Sequence, residues 1–205
     1  IFACTCRSGV SAFSIASRYS VCVTRRQHHP GADRPILPLF WLLSDRRNDA
    51  GIETALQSLP TGSGFVFRHY HLDPDTRRAR FDELAAIARQ CGHTVILSGD
   101  DDWGADGHYG SATRPRDGLF LATAHNEDEL AAAVAAGAEG IFLSPVFATA
   151  SHPGAKTLGI DAFHALARQS PVPVIALGGM THERARELGW SRWGAIDGLG
   201  STNVA

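Results

Sequence analysis

From residue 36 onward, apolar runs of about four to seven residues alternate with amphipathic stretches of about ten to eighteen. The runs fall at 39–43, 64–68, 94–97, 104–109, 118–124, 140–144, 172–177 and 193–199, the fourth being the weakest. Short buried strands separated by helices are the pattern of βαβ units on a parallel sheet. Eight such runs predict an α/β fold of the TIM (β/α)8 barrel kind, smaller than the usual ~250 residues. An open doubly wound sheet is the structural rival. Only about residues 99–103 separate the third and fourth runs, which predicts a shortened helix there, and too little chain follows the eighth for a full final helix.

Three of the intervening helices can be argued from their ends. Asp73 and Pro74 offer an N-cap with proline in the first turn, Phe81, Leu84, Ala85 and Ala88 recur at helical spacing, and Gly92 closes the segment. Asn126 through Glu129 read as a capping box, Leu130, Ala133, Val134 and Ala136 form the buried face, and Gly137 ends it. Thr181 caps a helix carrying Ala185 and Leu188, stopped at Gly189. Residues 1–35 follow no such pattern. They hold serine, arginine, a His28-His29-Pro30-Gly31 break and a single acidic residue, Asp33. They are read as a poorly ordered or non-native N-terminal extension, with a targeting segment as the alternative, and residues 36–205 as the barrel domain.

Composition narrows the class. The 205 residues are 44% hydrophobic and 20% charged, which suits a globular domain with a substantial core and excludes disorder as the main state. Nineteen basic against 21 acidic residues give a formal charge of −2, so nothing global favours nucleic acid or an anionic membrane as partner. No uncharged stretch reaches the ~20 residues of a membrane span. Cys4, Cys6, Cys22 and Cys91 show neither a disulfide framework nor a zinc spacing, which fits a reducing cytoplasm.

In such a barrel the chemistry sits on the loops leaving the C-terminal strand ends. The polar residues there include Asp45, Arg68 to His71, Asp100 to Asp102, His108, His125, Ser144 to His152, Gly178-Gly179 and Asp197-Gly198. The stretch Ala122-Thr123-Ala124-His125-Asn126, residues 141–153 (IFLSPVFATASHP) and residues 173–180 (PVIALGGM) resemble the thiamine phosphate synthase/TenI family. The resemblance covers about residues 36–200. It implies a (β/α)8 barrel that binds a small-molecule substrate, a thiazole phosphate, with Arg68, Thr123, Ser144, Thr149, His152, Gly178, Gly179, Asp197 and Gly198 as ligand-binding candidates. It also implies His125 as the general base of a TenI-like thiazole tautomerase.

The chain departs from the synthase pattern at several of these positions. Arg68 matches, but Tyr70 stands where the family has lysine, Gly99-Asp100 where it has Asn-Asp, and His152 where the loop after strand 6 has lysine. Gly110-Ser111-Ala112 offers no counterpart to the family's later metal-binding aspartate, and Asp197 replaces a serine. A diphosphate held with Mg²⁺ needs several fixed cations and carboxylates. The resemblance therefore implies a tautomerase acting without a metal. A synthase with an altered diphosphate site is the alternative, using Mg²⁺ with Asp100 as its candidate ligand, and a non-catalytic binder of thiazole phosphate is a third reading.

The glycine pair has a plainer reading as a tight turn, and His125 as a structural residue at a helix start. His69 and His71 share a face if extended, and with His108 and Asp100 they form a conceivable metal site; the expectation is that they hold none. Homo-oligomerisation stays open.

Overall fold

The computed structural model describes residues 36–111, 117–151, 154, 156–197 and 199. Residues 1–35, read above as an extension, His152, Gly198 and residues 200–205 lie outside the described residues, and with them the expectation about a final helix. Eight strands, β1 (Phe40–Leu43), β2 (Gly64–Phe67), β3 (Thr94–Ser98), β4 (Gly107–Gly110), β5 (Leu119–Ala124), β6 (Gly140–Leu143), β7 (Val174–Ala176) and β8 (Trp193–Ala195), pair in sequence order into a closed barrel. Every pair is parallel, and β8 returns to β1 with Phe40 opposite Trp193. The open sheet is thereby excluded.

Five α-helices are present among the described residues, α1 (Ile52–Ser58), α2 (Pro74–Gln90), α3 (Glu127–Ala135), α4 (Gly159–Gln169) and α5 (His182–Leu188), with a single 3-10 turn at Asp49–Gly51 before α1. The caps read from the sequence form: Asp73 accepts from the Thr76 N–H, Asn126 from Glu129 and Thr181 from Arg184. Gly189 ends α5 in the left-handed conformation at φ 63°, where a side chain would be strained. Between β3 and β4 the chain carries no helix at all, rather than a shortened one. Trp103 covers this side instead, its ring 5.4 Å from Phe81 and 6.5 Å from Phe67.

Strand alternation divides the apolar residues between two cores. Trp41, Leu43, Val66, Ile96, Leu121, Phe142 and Ile175 fill the barrel interior, while Leu42, Phe65, Phe67, Val95 and Leu97 face the helices. Trp41 is opposite Gly64 in register, and a Cβ on that glycine would stand 2.1 Å from the indole ring. Large against small is how a narrow barrel closes without voids. Each such fully buried side chain contributes about 1.5–3 kcal/mol.

Candidate active site

The loops leaving the C-terminal strand ends enclose a cavity of about 990 Å³. Arg68, Thr123, His125, Ser144, Thr149, Gly178, Gly179 and Asp197 all line it, from β2, β5, β6, β7 and β8. Asp100 is exposed and lies outside the lining. So do His69, His71 and His108, and they do not converge with Asp100.

His125 follows β5 and precedes α3. Its Nδ1 lies 2.7 Å from Glu129 Oε2, and the same oxygen accepts the His125 backbone N–H at 2.9 Å. Asn126 completes the capping box, its Oδ1 accepting the Glu129 N–H and its Nδ2 donating to Glu129 Oε1, both at 2.9 Å. The hydrogen bond from His125, with its backbone counterpart, holds the Glu129 carboxyl below the usual range against a smaller opposing effect of burial. An ionised Glu129 accepts only, so Nδ1 carries the proton of the neutral ring and Nε2 offers its lone pair to a ligand.

Gly178 and Gly179 have φ values of 94° and 62°, a region that disfavours side chains. A Cβ on Gly178 would approach Pro145 Cα to 2.6 Å, and one on Gly179 would approach the Ala148 carbonyl oxygen to 2.4 Å. The pair thus lets the β6 loop lie directly on the β7 loop. Their carbonyls are engaged, Gly178 accepting from the Phe147 N–H at 3.1 Å and Gly179 from Arg184 Nη1 at 2.5 Å. Neither N–H makes a backbone hydrogen bond among the described residues. The helix that follows contributes less than its sequence predicts, because α5 has only 7 residues and the Thr181 hydroxyl takes the Arg184 N–H.

The opposite wall is aromatic. Tyr70 OH and Ser98 Oγ share a short hydrogen bond, and Ser98 Oγ donates to the Tyr109 carbonyl at 3.2 Å. Arg68 lies over the Tyr70 ring at 5.8 Å, and Arg77 over the same ring at 5.6 Å. Burial pushes the Tyr109 phenol up to about 12, so it stays protonated and can donate.

Behind this wall is a buried network. His69 Nε2 lies 2.8 Å from Asp49 Oδ1 and Nδ1 lies 2.7 Å from Ser44 Oγ, which also accepts the Arg68 N–H at 2.7 Å. Burial lowers the His69 pKa despite its acidic partner. Burial raises that of Asp49, but bonds from His69 and Arg80 outweigh it and leave the carboxyl low. The consistent assignment is a neutral ring donating from Nε2 to Asp49 and accepting at Nδ1 from the Ser44 hydroxyl. Asp49, His69 and His71 have ligand atoms within 4.8 Å of one another. A metal there would have to displace both the Nε2–H bond and Arg80, whose Nε and Nη2 reach Asp49 Oδ1 at 3.0 and 2.8 Å. His108 stands apart on β4, its Nε2 bonded to the Asp117 carbonyl at 2.8 Å.

Sequence reasoning overlooks two parts of the site. Glu129 reads only as a cap, although a side chain in the first turn of α3 can fold back onto the residue just before the N-cap, His125. Arg47, in the loop after β1, lines the cavity and pairs with Asp197 at 3.3 Å.

None of the described helices is long and apolar enough to cross a membrane. A family model described as thiamine monophosphate synthase matches residues 111–195. The thiamine-phosphate synthase of Thermosynechococcus vestitus is 28% identical over 156 residues, covering 69% of this chain and 44% of the relative. That of Methanoregula boonei is 34% identical over 121 residues, covering 52% of this chain and 56% of the relative. The chain thus spans about half the length of these two relatives. The thiamine phosphate pyrophosphorylase of Pyrococcus furiosus superposes with a TM-score of 0.68 at 20% identity, over 80% of this chain and 89% of that one. This last likeness concerns the fold, whereas the matched segment and the relatives make the chain similar, over part of its length, to the thiamine phosphate synthases.

Proposed function

We propose that the protein acts in thiamine biosynthesis as a TenI-like isomerase, binding a thiazole carboxylate phosphate and moving a proton on its ring without a metal ion. The observation that carries this reading is the His125–Glu129 pair at the cavity wall, with one ring nitrogen fixed at 2.7 Å and the other open to the ligand. Nε2 takes a proton from one ring position and returns it at another, so the product is an isomer and nothing is consumed. Glu129 stabilises the imidazolium formed between the two transfers. The Gly178 and Gly179 N–H groups and the Ser144 and Thr149 hydroxyls receive the phosphate. Arg68 steadies the ligand carboxylate through a forked contact.

The names of the relatives favour a second reading, a synthase joining a pyrimidine diphosphate to the thiazole nitrogen. That chemistry uses Mg²⁺, and the residues present do not fit it. Among the described residues the carboxylates lining the cavity are Glu183, in the first turn of α5, and Asp197, in the β8 loop, and Asp197 is paired with Arg47. At the β3 and β4 ends the lining is Ser98, Tyr109, Gly110 and Ser111.

The test is turnover of thiazole carboxylate phosphate by the wild-type chain in the presence of a chelator. Isomerisation that persists there supports the proposal. Thiamine phosphate formed from both substrates only with Mg²⁺ establishes the synthase instead, and tight binding without turnover a non-catalytic binder.

A further inference from the structure

Ser44-Asp45-Arg46-Arg47 follows β1 directly, and the Arg47 side chain reaches well beyond its own loop. Its Nε donates to Asp45 Oδ1 at 3.0 Å, its Nη2 donates to Ser151 Oγ at 2.7 Å, and its Nη1 lies 3.3 Å from Asp197 Oδ2. One guanidinium thus joins the loops after β1, β6 and β8. Arg47, Thr149, Ser151 and Asp197 all line the cavity, and β8 is the barrel neighbour of β7, whose loop carries Gly178 and Gly179. The cation therefore stands on the strand-end loops beside the one that carries the glycine pair, whose N–H groups make no backbone hydrogen bond among the described residues.

Its two carboxylate partners are unequal. Burial works to raise the Asp45 carboxyl, but hydrogen bonds and charge from Arg47, with a further contribution from Arg68, hold it below the usual range. The Asp45 side chain is 22% exposed; that of Asp197 is 58% exposed and its contact is longer. Exposed ion pairs are worth little, so the Asp197 contact is the one that can be exchanged.

We propose that Arg47 supplies the cation of the phosphate subsite and that Asp197 is its internal counter-ion, displaced when a phosphate monoester arrives. This rests on the phosphate-ligand reading above and specifies how that group is held. A guanidinium fork matches phosphate oxygens in pairs, and a dianion outcompetes a single solvated carboxylate for it. Asp197, a binding candidate by sequence, then opposes binding, and its charge sets how selective the site is for a doubly charged group.

Calorimetric titration with thiazole phosphate and with the corresponding thiazole alcohol tests this on wild type, Arg47→Gln, Asp197→Asn and the double variant. Arg47→Gln should weaken phosphate binding by about 10- to 100-fold and leave the alcohol unchanged. Asp197→Asn should tighten phosphate binding several-fold, a gain that damage to the fold cannot produce, and this gain should vanish in the double variant. If wild type prefers the phosphate and Arg47→Gln retains that preference, the assignment of Arg47 is overturned while the functional reading stands. If wild type ignores thiazole phosphate but binds phenyl phosphate through Arg47, the subsite stands and the thiazole reading falls. Binding of neither phosphate overturns both.

Discussion

Two histidine–carboxylate pairs lie at the same end of the barrel with nearly the same geometry, His125–Glu129 at 2.7 Å and His69–Asp49 at 2.8 Å. Their surroundings differ. The His69 side chain is 0% exposed and that of His125 is 53% exposed. Ser44, Asp49 and the stacked Phe67 ring at 4.8 Å enclose His69, whereas His125 borders the cavity with one nitrogen available. A carboxylate on imidazole is therefore not itself a catalytic signature. The pair becomes reactive where a ligand can reach the second nitrogen, and becomes a structural cross-link where protein occupies both.

The sharpest way to break this distinction is to exchange the roles experimentally. His125→Asn should lower turnover by roughly 10²–10⁴ while thiazole phosphate affinity stays within a few-fold. Normal turnover in steady-state assays would remove the proton shuttle from the proposal. His69→Ala should instead leave the Ser44 hydroxyl and the Asp49 carboxylate without their buried partner, at a cost of about 2–3 kcal/mol in urea unfolding. Glu129→Gln keeps an acceptor but removes the charge that supports the imidazolium, so turnover should drop by about tenfold with stability near wild type. An equally small effect of Glu129→Gln and Glu129→Ala would show that the carboxylate does not assist.

The smallest expected effect is in the acid limb of stability. The pKa of His69 is lowered in the fold, so its contribution is complete above the unfolded value near 6.5 and is lost as pH falls below it. Asp49 is also lowered, and its contribution fades further down, below about 4. Melting temperature should therefore fall in two stages on acidification, and His69→Gln should abolish the upper stage while the lower one remains. A His125 variant should leave both stages in place.

What the chain discloses about itself depends on the range of each interaction. All eight strands are legible because alternation and buried runs are local, although β4 starts at Gly107, three residues later than the apolar run, after a Gly104 at φ 72°. The helices with side-chain N-caps, α2, α3 and α5, can be argued from their ends. Both α1, which begins after Gly51, and α4, which begins after Leu158, lack a side-chain cap and give no such signal. Trp103 replacing a helix is equally invisible, because nothing local says what a lone tryptophan will cover. At the site, the candidates come from the strand-end plan of a barrel together with the family resemblance, and eight of them line the cavity. Arg47 meeting Ser151 across 104 positions of sequence has no local trace.

The packing of Trp41 against Gly64 has an optical consequence. Indole emission shifts to shorter wavelength in dry surroundings, and Trp41 lies 0% exposed in the barrel interior. Among the chain's 4 tryptophans it is the one on the inner face. Trp103, Trp190 and Trp193 belong to the layer between barrel and helices. A chain retaining Trp41 alone would report whether the ring of strands is closed, whereas one retaining Trp103 alone would report whether its loop is seated. Fluorescence can thus separate ring closure from the seating of its outer cover in a single small chain.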